Sequence, residues 1–170
     1  FVGGLRVTDP EAMDVVEMVL TGRVNQRLVA ALNREGDRAV GLSGKDGGLV
    51  RVRKHQGPQD LGRVGHVERI DVRLLELLEA QGYVPVISPV GLGPDGEGYN
   101  VNADVVAAEI ARALGAQKLI FLSDVPGLLD GEDVVSELSA DQLKLKLDGQ
   151  EITGGMKPKL ESALAALRGG

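Results

Sequence analysis

Four short stretches carry side chains that could grip an anion and move a phosphoryl group. In Tyr99-Asn100-Val101-Asn102-Ala103-Asp104 two amides and a carboxylate precede a helical run, the position at which open α/β sheets bind ligands, beside a helix N-terminus. Asn102 and Asp104 alone fit a helix cap and a dipole complement. Asn100, which no cap requires, turns the stretch into a candidate polar pocket. In Thr153-Gly154-Gly155-Met156-Lys157-Pro158-Lys159 two lysines fall in the first turn of the last helix, where the positive macrodipole disfavours cations by about 0.3–1 kcal/mol. Freed glycine amides, a helix N-terminus and lysine charges together suit a phosphate, the alternative being a solvated lysine pair. Ser123-Asp124-Val125-Pro126-Gly127 follows an apolar run and taken alone reads as a turn. Arg6, beside Gly3-Gly4, either forks a carboxylate or is an ordinary surface arginine.

Assembled, these groups suit phosphoryl transfer without a covalent intermediate, in which positioning and charge neutralisation carry most of the catalysis. Composition agrees. The 170 residues contain no Cys and two histidines, His55 and His66, which excludes a disulfide framework, a thiolate nucleophile and a Cys/His zinc site; a metal would have to be hard and oxygen-bound. A net charge of −6 and only four aromatics, Phe1, Tyr83, Tyr99 and Phe121, argue against a nucleic-acid partner. No apolar run reaches the roughly 18–20 residues of a membrane span and no basic leader precedes an apolar one, so a cytoplasmic location is expected. Gly91-Leu92-Gly93-Pro94-Asp95-Gly96 matches the dinucleotide fingerprint literally, but Pro-Asp-Gly makes a turn rather than a helix entry. Gly44-Lys45 fails as a P-loop, with Ala39 for the first glycine and Asp46 for the magnesium hydroxyl. Gly41-Leu42-Ser43-Gly44 is one residue short of a nucleophile elbow.

The elements that must position these groups follow from periodicity. Thr8-Asp9-Pro10-Glu11 has capping-box spacing and opens a helix through Leu20; Val24 to Leu32 repeat at helical spacing and stop at Gly36. Ala39-Leu42 reads as a buried strand, and Leu49-Arg53 with Val64-Glu68 as an exposed hairpin. Helix Val72-Ala80, strand Tyr83-Ser88, helix Asn102-Leu114 and strand Lys118-Leu122 then alternate, which predicts a βαβ unit in a parallel sheet. A polar stretch, Asp130-Gln150, leads to a last helix, Met156-Leu167. The expected architecture is α/β, a three-layer sandwich with a mainly parallel sheet between helices, divided into a substrate lobe over 1–90 and a nucleotide lobe over 91–170 within one compact unit. The start at Phe1 and the stop at Gly169-Gly170 just after a helix make the chain an expected excerpt of something longer.

Six segments in order, Gly4-Leu5-Arg6-Val7-Thr8-Asp9, Gly22-Arg23-Val24-Asn25, Gly41-Leu42-Ser43-Gly44-Lys45-Asp46-Gly47, Asn100-Val101-Asn102-Ala103-Asp104, Ser123-Asp124-Val125-Pro126-Gly127 and Ile152 through Lys159, together resemble the amino acid kinase family, and within it the branch that phosphorylates N-acetyl-L-glutamate. The resemblance implies transfer of the γ-phosphate of MgATP to a side-chain carboxylate, with ATP and Mg2+ as cofactors, no protein metal site and a homo-oligomeric assembly. It implies that Arg6, Asn100 and Asn102 contact the substrate, that Lys159 neutralises the transferring phosphoryl group while Asp104 orients the catalytic lysines, and that Ser123, Asp124, Gly155 and Met156 lie at the nucleotide. The family's opening Lys-x-Gly-Gly strand, its second Gly-Gly loop and its last strand and helix have no counterpart here. A non-catalytic binding or assembly module of the same fold, or a kinase acting on an aminoadipate derivative, are the alternatives.

Overall fold

The computed structural model describes residues 7–169 apart from 37, 126, 131–132, 150–151 and 153–155. The chain divides into two compact units, Phe1–Val106 and Ala107–Gly170. The division expected after residue 90 lies earlier than this one, because residues 90–100 form two strands that join the sheet of the first unit. The α/β class stands, and among the described residues no helix is long and apolar enough to cross a membrane.

In the first unit Asp9, not Thr8, caps helix α1 (Pro10–Glu17): its side chain accepts from the Ala12 amide at 2.7 Å, with Pro10 in the first turn. Thr8 is unsuited to that role because it is fully buried, bridged in parallel to Gly62 and bonded through its hydroxyl to Asn100. Between the two helical runs read from the sequence lies a π-helical stretch, Met18–Val24, which carries the chain without a break into α2 (Asn25–Arg34). Gly36, at φ +101°, ends that run as expected.

Strand β1 (Ala39–Ser43) pairs in parallel with β4 (Val84–Ser88), which follows helix α3 (Arg73–Ala80). A second sheet has the order β3-β2-β5-β6, built from β2 (Val50–Lys54), β3 (Gly65–Ile70), β5 (Val90–Leu92) and β6 (Gly98–Asn100). The expected hairpin is β2–β3, with a bulge between Arg51 and Val52; Val50 and Val52 are fully buried while Arg51 and Arg53 face solvent. Leu49, Val50, Val52 and Val90 form the core of this unit, each worth about 1.5–3 kcal/mol of apolar burial. The G-x-G-x-x-G stretch is the β5–β6 turn, with Gly96 at φ +82°. That turn is tied down by Asp95, which accepts from Arg63 Nη1 at 2.8 Å and the Tyr99 hydroxyl at 3.1 Å. Against a desolvation that would raise it, bonds from the Glu97 amide, Tyr99 and Arg63 hold the Asp95 carboxyl below its ordinary value.

Helix α4 (Ala103–Leu114) leads to Lys118-Leu122, which belongs to no ladder, so the second parallel strand expected there does not form. Its side chains alternate: Leu119 and Phe121 are half-buried against a cavity of about 390 Å³ beside α4 and the last helix, whereas Ile120 and Leu122 are 71% and 89% exposed. With one face packed and no strand beside it among the described residues, the backbone has no partner with which to make a sheet. Beyond the two-residue strands β7 (Leu129–Asp130) and β8 (Asp133–Val134), the polar stretch holds a helix that periodicity missed, α5 (Ala140–Asp148). A Ser139/Gln142 capping box opens it, and Leu143 and Leu147, one turn apart, pack with Ile152 and with Leu160 and Leu164 of α6 (Met156–Gly169) to form the core of the second unit.

A Cβ at Gly41 would lie 2.2 Å from Asn25 Oδ1 and 2.8 Å from Gln26 Nε2. Gly41→Ala therefore displaces the buried Asn25 and is expected to lower stability by about 2–4 kcal/mol, through overpacking and the loss of its hydrogen bonds, read as a shift of the urea midpoint. A pH-dependent contribution sits in the hairpin, where His55 Nδ1 and His66 Nε2 are 2.6 Å apart. Burial first, then the charges of His55 and Arg53, hold His66 below the usual imidazole value. A base whose folded pKa is depressed contributes stability that is present above its unfolded pKa of about 6.5 and lost as pH falls through the folded value. Thermal melts from pH 7.5 down to 5 should fall more steeply for the wild type than for His66→Asn.

Candidate functional site

The carboxyl edge of the β1–β4 pair is polar and closed. Ser43 and Ser88 end the ladder opposite each other and are both buried. Ser88 Oγ lies 2.7 Å from Thr21 Oγ1, the Ser43 amide donates to Asp46 Oδ2 at 2.8 Å, and Lys45 Nζ reaches Glu17 Oε1 at 2.7 Å. Behind this edge Asn25, 3% exposed, donates from Nδ2 to the Val86 carbonyl at 2.7 Å and more weakly to that of Leu42 at 3.4 Å; its Oδ1 is buried with no partner among the described residues. Residue-by-residue reading passed over Asn25. The only available signal was its place in the Gly22-Arg23-Val24-Asn25 segment, since an amide within a helical run looks like a surface residue.

Two of the predicted substrate stretches meet in the first unit. Asn100, half-buried at the end of β6, donates from Nδ2 to Thr8 Oγ1 at 3.2 Å, and its amide donates to the Arg63 carbonyl at 2.8 Å. The Thr8 amide in turn donates to Leu61 O at 2.9 Å and the Arg63 amide to Thr8 O at 2.6 Å. The chain two residues past Arg6 is thus fixed against Asn100; Arg6 itself lies outside the described residues. Asn102 is the cap of α4, its Oδ1 accepting from the amides of Asp104 at 2.8 Å and Val105 at 3.3 Å. Its amide nitrogen is not used in the cap. Asp104 is half-buried in the first turn.

The nucleotide-type residues fall in the second unit. Lys159, half-buried in the first turns of α6, places Nζ 5.8 Å from the Phe121 ring centroid, a cation–π distance that favours a charged amine held away from bulk water. Met156, the first residue of α6, packs against the Leu143-Leu147-Ile152 core. Ser123 and Asp124 are exposed, with Ser123 Oγ 3.5 Å from Asp124 Oδ1, and Gly155 lies outside the described residues. The 390 Å³ cavity of this unit is walled by residues of no predicted role. Among the described residues no three His, Asp or Glu side chains converge as a metal site would require.

A model described as the amino acid kinase family matches residues 2–170. Acetylglutamate kinase of Chromohalobacter salexigens is 47% identical over 182 residues and that of Geotalea uraniireducens 49% over 181, in each case across the whole of this chain. These alignments cover 60% and 62% of the relatives, so the chain spans about three fifths of their length. Among solved structures, smu.665 from Streptococcus mutans UA159 superposes with a TM-score of 0.89 at 31% identity, over all of this chain and 69% of that one. N-acetylglutamate synthase from Neisseria gonorrhoeae, complexed with coenzyme A and N-acetyl-glutamate, superposes with a TM-score of 0.86 at 26% identity, over all of this chain and 39% of that one.

The cap separates two roles for Asn102. Asn102→Ala should lower stability by about 1 kcal/mol and Asn102→Asp by no more than a few tenths, because aspartate caps equally well; equilibrium denaturation of the two variants measures the difference.

Proposed function

The chain belongs to the amino acid kinase family, and from that membership we propose that it is part of a kinase that transfers the γ-phosphate of MgATP to the side-chain carboxylate of N-acetyl-L-glutamate, giving an acyl phosphate and ADP in arginine biosynthesis. The observation that carries the reading is the Asn100–Thr8 contact, which joins the two segments assigned to the acceptor. Identities of 45–49% to proteins named acetylglutamate kinase support the choice of substrate.

Arg6, Asn100 and the free amide nitrogen of Asn102 hold the acceptor, so that its reacting carboxylate is presented without covalent activation. Lys159 neutralises charge on the phosphoryl group as it moves, and Asp104 takes the role of the carboxylate that orients the family's catalytic lysines. Met156 at the start of α6 and Gly155, the residue before it in the sequence, together with Ser123 and Asp124, are assigned to the nucleotide. These residues suit ATP: a lysine in the first turns of a helix and an exposed Ser-Asp turn supply cation and polar donors. Mg2+ brought in with ATP would supply charge compensation for the phosphates. We place the enzyme in the cytoplasm as a homo-oligomer.

A second reading, a kinase-fold module without phosphotransfer, draws support from the likeness to a synthase. The two part on hydroxylamine trapping of the acyl phosphate by the full-length protein, with N-acetyl-L-glutamate, glutamate and α-aminoadipate offered separately. Hydroxamate should form only with N-acetyl-L-glutamate, and Lys159→Ala should lower kcat by about 10²–10³ with a smaller change in KM. Turnover of α-aminoadipate in preference, or none with any acceptor, would overturn the proposal.

A further inference from the structure

Residues 51–73 are the basic part of an acidic protein, with Arg51, Arg53, Lys54, Arg63, Arg69 and Arg73 against Asp60, Glu68 and Asp71. Three of the six cations are matched, and Arg53 faces solvent opposite His66. Lys54 pairs with Asp60 and Arg63 with Asp95, both at 2.8 Å, and Arg73 holds Asp71 through bonds of 2.6 and 2.8 Å. Arg69 is left with only the outer reach of the same carboxylate, at 4.0 Å. The Arg51 side chain makes no hydrogen bond or ion pair with any described residue.

These two under-matched arginines stand directly opposite each other on β2 and β3. Like charges at facing positions of an antiparallel pair are destabilising, so the fold gains nothing from the pairing by itself. Both line a cavity of about 230 Å³ whose remaining walls are Gly47, Gly48, Asp71 and Arg73. Gly48 has a φ of +68°, and a Cβ there would sit 2.8 Å from Nε and Nη2 of Arg51, so glycine at this position leaves room for the guanidinium. The one carboxylate in the wall is already engaged: hydrogen bonds from Arg73 chiefly, with the charge of Arg69 in addition, lower the Asp71 pKa to about 2. Glu68 lines the neighbouring cavity with Arg51 and Arg69 and is not a wall of this one.

We propose that this cavity binds a small oxyanion, a phosphate group, gripped between the guanidinium forks of Arg51 and Arg69, with Arg73 on a third side. A planar guanidinium presents paired donors that match phosphate oxygens bidentately, and an anion between the facing arginines relieves their repulsion. The site uses none of the residues assigned to the phosphotransfer reaction and is independent of that reading. Its occupant would tie the β2–β3 hairpin to the turn after β1. The phosphate could be free or carried on a small metabolite.

The test is an NMR titration of the isotope-labelled protein with inorganic phosphate at constant ionic strength, repeated with phenyl phosphate to separate a free anion from a monoester. Saturable shifts are expected at the Gly47 and Gly48 amides and the Arg51 and Arg69 Nε resonances. Arg51→Gln and Arg69→Gln should each weaken binding at least tenfold, equivalent to about 1.4 kcal/mol for the loss of a charge-assisted contact. Lys159→Ala should leave these shifts unchanged, which separates the cavity from any phosphate held by α6. Phosphate should also raise the melting temperature of the wild type and not that of the Arg51→Gln/Arg69→Gln variant. Shifts that sodium chloride reproduces, shifts that survive both arginine substitutions, or no saturation at Gly47 and Gly48 would overturn the site.

Discussion

One buried amide joins the strands whose loops carry much of the candidate site. Asn25 Nδ2 donates to Val86 O on β4 and Leu42 O on β1, reaching both members of the parallel pair from the helix that covers them. The joint is possible only because residue 41 has no side chain to occupy the space of the Asn25 amide. A parallel ladder lacks the tight turn that sets register in a hairpin, and a buried amide bonded to both strands supplies such a constraint. From this edge the chain runs into the Ser43–Gly48 turn on one side and, on the other, through β5 and β6 to Asn100 and the cap of α4. The cost of burying a polar amide is met by its two donated bonds, although Oδ1 stays unmatched among the described residues.

The second constraint is charge. The chain holds no cysteine to supply a thiolate, and its two histidines are bonded to each other in a hairpin. The proposed reaction therefore rests on holding two anions close together and compensating their charge. Lys159 suits that role, because cation–π contact with Phe121 and partial burial favour a fixed ammonium over a mobile, fully hydrated one. Lys45, the other lysine near a glycine-rich turn, is committed to Glu17, which accounts for a P-loop-like stretch without a P-loop's function.

Much of the architecture was legible because it obeys a single period. Strand β2 of the hairpin alternates buried and exposed, and α4 and α6 begin near the positions their apolar spacing predicts. The β5–β6 turn was legible because Pro94-Asp95-Gly96 cannot begin a helix. What could not be read depends on partners far along the chain. Asp9 caps α1 in place of Thr8 because Asn100, 92 residues away, engages the threonine hydroxyl. Asn25 is a joint rather than a surface amide because of carbonyls 17 and 61 residues away. Helix α5 was hidden by polar neighbours that mask the Leu143-Leu147 repeat. The apolar run at 118–122 has the composition of a strand, but pairing is a property of two segments and not of one. In the site, Asn100 bonds Thr8, two residues past Arg6, a pairing set by distant segments, whereas Asn102 shows the cap that its spacing already allowed.

Direct transfer between bound ATP and the acceptor carboxylate is the centre of the account, and ADP–ATP isotope exchange in the full-length protein tests it most directly. If the phosphoryl group passes straight to the acceptor, labelled ADP should not exchange into ATP until N-acetyl-L-glutamate is added, and should do so readily afterwards. Exchange at a comparable rate without any acceptor would show that the protein itself takes the phosphoryl group, and would contradict a site built only to position and neutralise.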